Sequence, residues 1–221
     1  MSTATMKGYK GIGMEGSVAR WYANSTRGSL EEFKAAARQV AAELRPGGRV
    51  LEVAPGPGYF AIELAKLGDF RITGLDISKT FVGIAARNAE EAGVEVAFRQ
   101  GNAADMPLES ESFDFVFCRA AFKNFTEPVR ALQEMRRVLK PGGKGLLIDL
   151  RKDASRDAIH KMVGQMGMGF ASRIFTRLTF RFMLLRRAYT ENQFRDFFSQ
   201  ANFRKVEFQS TATGFAIRFE R

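Results

Sequence analysis

The chain has 221 residues, 45% of them hydrophobic, and a formal net charge of +10, enough for one sizeable α/β core with a small appendage. Its single cysteine excludes an intramolecular disulfide, and the absence of a membrane-length apolar run or a signal-peptide core makes the cytoplasm the expected location. The charge is uneven, with +3 on residues 1–30, −1 on 31–150 and +8 on 151–221, which argues against a uniformly basic nucleic-acid-binding domain.

Residues 1–28 hold a glycine-rich stretch from Met6 to Gly16 and a short predicted helix, Glu15 to Ala23, with Trp21 and Tyr22. Ser29 with Glu32 three residues on predicts a capping box, and Ala35, Ala36, Val40, Ala41 and Leu44 follow helical spacing. Pro46-Gly47-Gly48 ends that helix. The stretch Arg49 to Phe60 then reads as a buried strand, a tight Gly/Pro turn and the start of a helix. Small residues at Ala54, Gly56 and Gly58 allow close backbone approach by a ligand. The helix after them points free N–H groups at the turn. Glu52 is an acid at the carboxyl end of an apolar strand, where open α/β sheets bind ligands.

A helix over Tyr59–Leu67 leads to a strand over Phe70–Leu75 that ends in Asp76, 18 residues after Gly58. A carboxylate near this spacing accepts ribose hydroxyls; the alternative is that Asp76 caps the helix Lys79–Ala92 together with Ser78. A strand over Val94–Gln100 follows, then the loop Gly101-Asn102-Ala103-Ala104-Asp105-Met106-Pro107-Leu108. Ser112 to Cys118 alternates as a fourth strand, running into Arg119-Ala120-Ala121-Phe122-Lys123-Asn124-Phe125. Glu127–Leu139 is an amphipathic helix, Lys140-Pro141-Gly142-Gly143 stops it, and Lys144–Leu150 is the fifth strand. A predicted helix at Asp157–Met168 and the stretch Ser172–Arg187 follow; Arg173, Arg177 and Arg181 share one helical face there. Thr190–Ala201 is a capped helix. Asn202–Phe208 and Thr213–Phe219 read as a closing hairpin.

The acid at 52 and the small residues at 54, 56 and 58 depart from the G-x-G-x-x-G of dinucleotide folds. They resemble motif I of the class I S-adenosylmethionine-dependent methyltransferases, (Asp/Glu)-x-Gly-x-Gly-x-Gly, with Ala54 at the first glycine. Asp76, the Asn102 loop and the Leu-Lys-Pro-Gly-Gly-Lys-Gly-Leu-Leu-Ile run that ends at Ile148 extend the resemblance over residues 40–150. The small-molecule type of the ubiquinone/menaquinone methyltransferase-like group is the most similar. The resemblance implies a Rossmann-like, seven-stranded, mostly parallel sheet with the last strand antiparallel, helices on both faces, and a helical substrate cover. It implies a class I domain over 29–221, the cover inserted at about 151–188, and an N-terminal lid over 1–28; the plainer reading is that Trp21 and Tyr22 pack on the core.

S-adenosyl-L-methionine is the implied cofactor, with S-adenosyl-L-homocysteine as product. Its implied contacts are Glu52, Ala54, Gly56, Gly58, Tyr59, Asp76, Ile77, Asn102, Ala103, Met106, Cys118 and Arg119. Asn102 stands where the family usually has Asp and offers its amide carbonyl to the adenine amino group. Arg119 falls near the cofactor carboxylate, and Cys118 reads as a strand-end packing residue. Where many relatives carry a histidine, this chain has Lys123 and Asn124. These two, with Tyr9 and Tyr22, are candidates to orient an acceptor; the single histidine, His160, lies in the insertion as a base or a surface residue. One histidine, one cysteine and scattered acids make no metal site.

The reaction expected is in-line methyl transfer to a small, largely apolar metabolite of aromatic, quinone-like, lipid-like or thiol type. The alternatives are an RNA or protein methyltransferase using the basic C-terminal third, and a non-catalytic cofactor-binding protein. The near-neutral core and the lack of an Asn/Asp-Pro-Pro-(Tyr/Phe) motif weigh against nucleic acid. The basic stretch near 172–187 reads as a substrate cover, a membrane-surface contact or a solvated helix pair. Nothing in the sequence fixes an oligomeric state.

Overall fold

The computed structural model describes residues 8–10, 13–165 and 184–221. In chain order the elements are α1 (Gly16–Thr26), α2 (Leu30–Ala41), β1 (Arg49–Val53), α3 (Tyr59–Ala65), β2 (Arg71–Asp76), α4 (Lys79–Glu91), β3 (Ala97–Gln100) and β4 (Phe113–Arg119). Then come α5 (Pro128–Val138), β5 (Leu139–Leu150), α6 (Arg156–Gln165), α7 (Glu191–Gln200), β6 (Lys205–Ser210) and β7 (Gly214–Glu220). The expected arginine face at 173, 177 and 181 lies outside the described residues, as do residues 166–183 of the expected cover.

The strands form one sheet in the order β3-β2-β1-β4-β5-β7-β6. β1 to β5 pair in parallel, and β7 runs antiparallel to both its neighbours. This is the Rossmann-like, seven-stranded sheet expected from the sequence. The central strands are apolar on both faces because helices cover both. Successive residues alternate sides: Val50, Phe115, Phe117 and Leu146 pack with α2 and α3, whereas Leu51, Val116, Cys118 and Leu147 pack with α5 and α7. On the first side Phe60 stacks on Phe117 with centroids 3.7 Å apart. Burying a large apolar side chain contributes roughly 1.5–3 kcal/mol, so the sheet is fixed from both faces and its carboxyl edge becomes a stable platform.

The chain leaves β1 for β2 and β3 on one side, then returns to β4 on the other. That reversal is the switch point where open α/β sheets bind ligands, and it falls at the ends of β1 and β4. The predicted box of Ser29 and Glu32 is not formed: Ser29 makes no side-chain capping bond, because a 3₁₀ turn over Arg27–Ser29 joins α1 directly to α2. Glu32 pairs with Arg119 instead. The cap on α7 does form, as a full box between Thr190 and Gln193. Among the described residues no helix is long and apolar enough to cross a membrane.

Candidate active site

Three acids end apolar strands at the carboxyl edge: Glu52 on β1, Asp76 on β2 and Asp149 on β5, with 4%, 5% and 4% of their surfaces exposed. Each is held by backbone N–H groups. The Ala61 N–H in the first turn of α3 donates to Glu52 Oε2 at 3.2 Å, so Glu52 satisfies a helix-start donor. Burial pushes its carboxyl up to about 8, and the opposing bond from Ala61 is the weaker influence. Glu52 is therefore protonated near neutrality.

Asp76 is clamped from two sides. The Gly56 N–H donates to Oδ2 at 3.0 Å and the Ser78 N–H to Oδ1 at 2.8 Å. Burial raises its carboxyl to about 6, with these backbone bonds pulling the other way. Each oxygen keeps a second lone pair for a ligand donor. The helix-capping alternative belongs to Ser78, whose hydroxyl accepts from the Phe81 N–H of α4 at 3.1 Å.

The turn between β1 and α3 carries three residues at positive φ: Ala54 at 58°, Gly56 at 54° and Gly58 at 80°. Gly58 starts α3 where a Cβ would lie 2.8 Å from Phe98 and 2.9 Å from Ala85, so no larger residue fits. Gly56 is the opposite case. Nothing stands within 4 Å of a Cβ there, so its backbone fronts open space beside Asp76. Ala54 adopts the left-handed conformation with a methyl group present, at a cost of roughly 1–2 kcal/mol. Tyr59 is turned away from the turn: its hydroxyl donates to Ala23 O of α1 at 2.9 Å and its ring meets Phe33 edge-on.

Residues 8–10 and 13–26 lie across this edge. The Lys10 N–H donates to Asn124 O at 2.7 Å, and Lys10 Nζ donates to the Tyr189 hydroxyl at 2.5 Å. Gly8, at φ +117°, passes so close that a Cβ would stand 2.8 Å from Asn102 Nδ2. Farther along, Glu15 accepts from the Lys79 and Thr80 N–H groups at 2.9 and 3.0 Å, capping α4. Ser78 Oγ donates to Met14 O at 2.6 Å, and α1 packs Ala19 and Ala23 on Phe81 and Ile84 of α4. Tyr22 meets Phe81 edge-on at 5.8 Å. Burial, then the charges of Tyr9, Arg119, Asp149 and Asp76, set its hydroxyl, with a net rise. Burial likewise raises Tyr9, against the pull of Arg187. Both phenols are neutral donors at pH 7.

The turn after β4 is the other wall. Arg119 lies over the Phe33 ring at 4.5 Å and bonds Glu32 through Nη2, while its buried Nη1 has no partner. Asn124 is 9% exposed and its Oδ1 is likewise without a partner. These are the two orphaned buried side-chain atoms among the described residues. Such atoms cost about 1–3 kcal/mol each unless a ligand meets them. Lys123 is not available to an acceptor. It is buried, 3.0 Å from Asp149 Oδ1, and it also bonds Ala120 O, while its own N–H donates to Asp149 Oδ2 at 2.9 Å. Burial raises the Cys118 thiol far above its usual range, in keeping with a packing role inside the core.

The other expected contacts divide. Asn102 Oδ1 is turned back onto its own loop, accepting from the Ala104 N–H at 3.0 Å, so one lone pair rather than a free carbonyl remains. Ile77 and Ala103 are half-buried beside it. Met106 is a core residue packed with the β4 and α5 side chains. His160 is exposed on α6. Asp149, Glu32, Glu15, Lys10 and Tyr189 were missed by sequence reasoning. Asp149 had the same signal as Glu52 and Asp76, an acid ending an apolar strand; the others bond residues 64 to 179 positions away, which spacing does not reveal.

Residues 51–147 match the family described as "Methyltransferase domain". A demethylmenaquinone methyltransferase of Deinococcus radiodurans is 38% identical over 108 residues, covering 48% of this chain and 45% of that protein. One from Chlorobaculum parvum is 28% identical over 181 residues, covering 79% and 73%. With most such relatives the match spans about half of their length. Among solved structures, a candidate S-adenosyl-L-methionine-dependent methyltransferase of Methanococcus maripaludis superposes with a TM-score of 0.78 at 21% identity, covering 95% of this chain and 94% of the other.

Proposed function

We propose that this chain is a class I S-adenosylmethionine-dependent methyltransferase that transfers a methyl group to a small, largely apolar metabolite. The observation that carries this reading is the covered site. Residues 8–10 and 13–26 lie at the carboxyl edge and are bonded down on both sides, Lys10 to Asn124 and Met14 to Ser78. Such a roof admits a small molecule and shuts out a polymer. The quinone methyltransferases among its relatives favour an aromatic or quinone-like acceptor.

The residues fit the cofactor. Asp76 presents two clamped oxygens suited to ribose hydroxyls, the Gly56 backbone fronts open space, and Arg119 Nη1 awaits an anion such as the cofactor carboxylate. Asn102 and Ala103 border the adenine position. The cofactor supplies a sulfonium methyl with a good neutral leaving group, so the protein's task is proximity and orientation. Neutral Tyr9 and Tyr22 donate hydrogen bonds to an acceptor oxygen. Asn124 Oδ1 accepts one from an acceptor O–H or N–H. Lys123 acts through the turn it holds, and Glu52, being protonated, would add no negative charge to a bound sulfonium.

The test uses methyl-labelled S-adenosylmethionine, purified protein and a cell extract separated into organic-soluble, RNA and protein fractions. Label is expected in the organic fraction and is lost with Gly56→Val, whose side chain fills the space in front of the turn. Label in RNA or protein, or none above that control, would overturn the reading.

A further inference from the structure

On α1 the buried Ala19 and Ala23 and the half-buried Tyr22 and Thr26 face inward, leaving Val18, Trp21, Asn24 and Arg20 in order around the outer face, with Arg27 in the 3₁₀ turn that follows. Trp21 is 62% exposed and Val18 39%, one helical turn apart. They are two of the three large hydrophobic residues exposed among the described residues, and Trp21 is the chain's single tryptophan. An indole left in water on a helix that roofs the site is out of keeping with a face meant only for solvent.

Beside it lies a cleft of about 150 Å³ lined by Arg20 and Asn24 of α1 and by Arg27 of the 3₁₀ turn after it, with Tyr59 and Asn88. At about 30 Å³ per water it is large enough for a tetrahedral oxyanion. Arg20 has no hydrogen-bond or ion-pair partner among the described residues. Arg27 gives only its Nε, to the Tyr59 hydroxyl at 3.3 Å, with Glu91 as its longer-range opposite charge. An amphipathic indole next to a two-arginine cleft, on a chain of net charge +10, matches the chemistry of an anionic lipid surface: phosphate at the headgroup level and an apolar boundary just below it.

We propose that the outer face of α1 docks on an anionic membrane surface, with a lipid phosphate in the Arg20–Arg27 cleft and Trp21 and Val18 at the acyl boundary. This rests on the proposed acceptor class: an apolar metabolite is dissolved in the bilayer, and docking by the roof helix places the site's cover against that supply.

The experiment follows Trp21 emission as the full chain is mixed with vesicles of phosphatidylcholine containing phosphatidylglycerol, with phosphatidylcholine alone, and with inorganic phosphate. Because no other tryptophan is present, a blue shift reports α1 and not another basic region. A shift is expected with the anionic vesicles and not with the neutral ones, and Arg20→Gln and Arg27→Gln should each weaken it about fivefold. No shift with anionic vesicles, an equal shift with neutral ones, or a shift indifferent to both arginine variants would overturn the proposal. Saturable binding of inorganic phosphate without any vesicle shift would also overturn it, in favour of a soluble anion. A vesicle shift without label in any organic product would refute the proposed activity and leave the docking face standing. Arg20→Gln should still methylate a detergent-dispersed acceptor at the unaltered rate.

Discussion

In the proposed site Asp76 joins the turn to the cofactor, and its protonation sets when it can do so. Burial holds the carboxyl near 6, while hydroxyl donors bind its ionised form best. Below about pH 6 the carboxyl must first release a proton, so S-adenosylmethionine affinity should fall about tenfold per pH unit there, read by calorimetry. Asp76→Ala should cost about a hundredfold in affinity at neutral pH; unchanged binding would remove Asp76 from the site. Glu52 behaves differently. Its folded value of about 8 lies above the ordinary glutamate range, so the folded state keeps a proton that the unfolded chain has lost. Its contribution to stability is complete at pH 4 and is lost as pH rises to about 8, by roughly 1.4 kcal/mol per unit at most. Urea unfolding of the parent chain and Glu52→Gln should therefore diverge as pH rises, in favour of the variant. Equal pH slopes would mean that Glu52 is ionised in the folded state.

At the scale of elements, the turn after β4 is held by β5. Asp149 receives the Lys123 ammonium and backbone N–H groups of both Lys123 and Leu150. Removing one partner leaves a buried charge, so Lys123→Met should destabilise the fold by about 3–5 kcal/mol. Lys123→Met with Asp149→Asn should recover much of that loss in the same denaturation experiment, and a double variant as unstable as the single one would contradict the pairing. The roof is fixed by a different device: Glu15 caps α4, and Glu15→Ala should cost about 1 kcal/mol of stability while loosening residues 13–16 in hydrogen exchange. Exchange as slow as in the parent chain would sink this assignment.

These elements also show what the sequence makes legible. Strands β1, β2 and β5 announce themselves because each is an apolar run ended by an acid or a glycine turn, β4 by its alternating aromatic residues, and the 52–58 motif marks the switch point. The box at Ser29 failed because its local pattern ignores Arg119, a partner 87 residues away that takes Glu32. Lys123 looked like a candidate for acceptor chemistry because nothing near it in sequence reveals Asp149. Local period and turn chemistry are written in neighbouring residues, whereas the pairing of buried charges is decided only when strands assemble.

For the whole molecule, the order β5-β7-β6 has a consequence in time. The strand made last, β7, lies between two made earlier, with seven residue pairs to β5 and six to β6. Until residues 214–220 have been synthesised, a nascent chain leaving the ribosome exposes the open edge of β5, a ready template for misassociation. The half of the protein that carries the ligand motifs can take shape early, but its protection from other chains waits for the final stretch to thread into place.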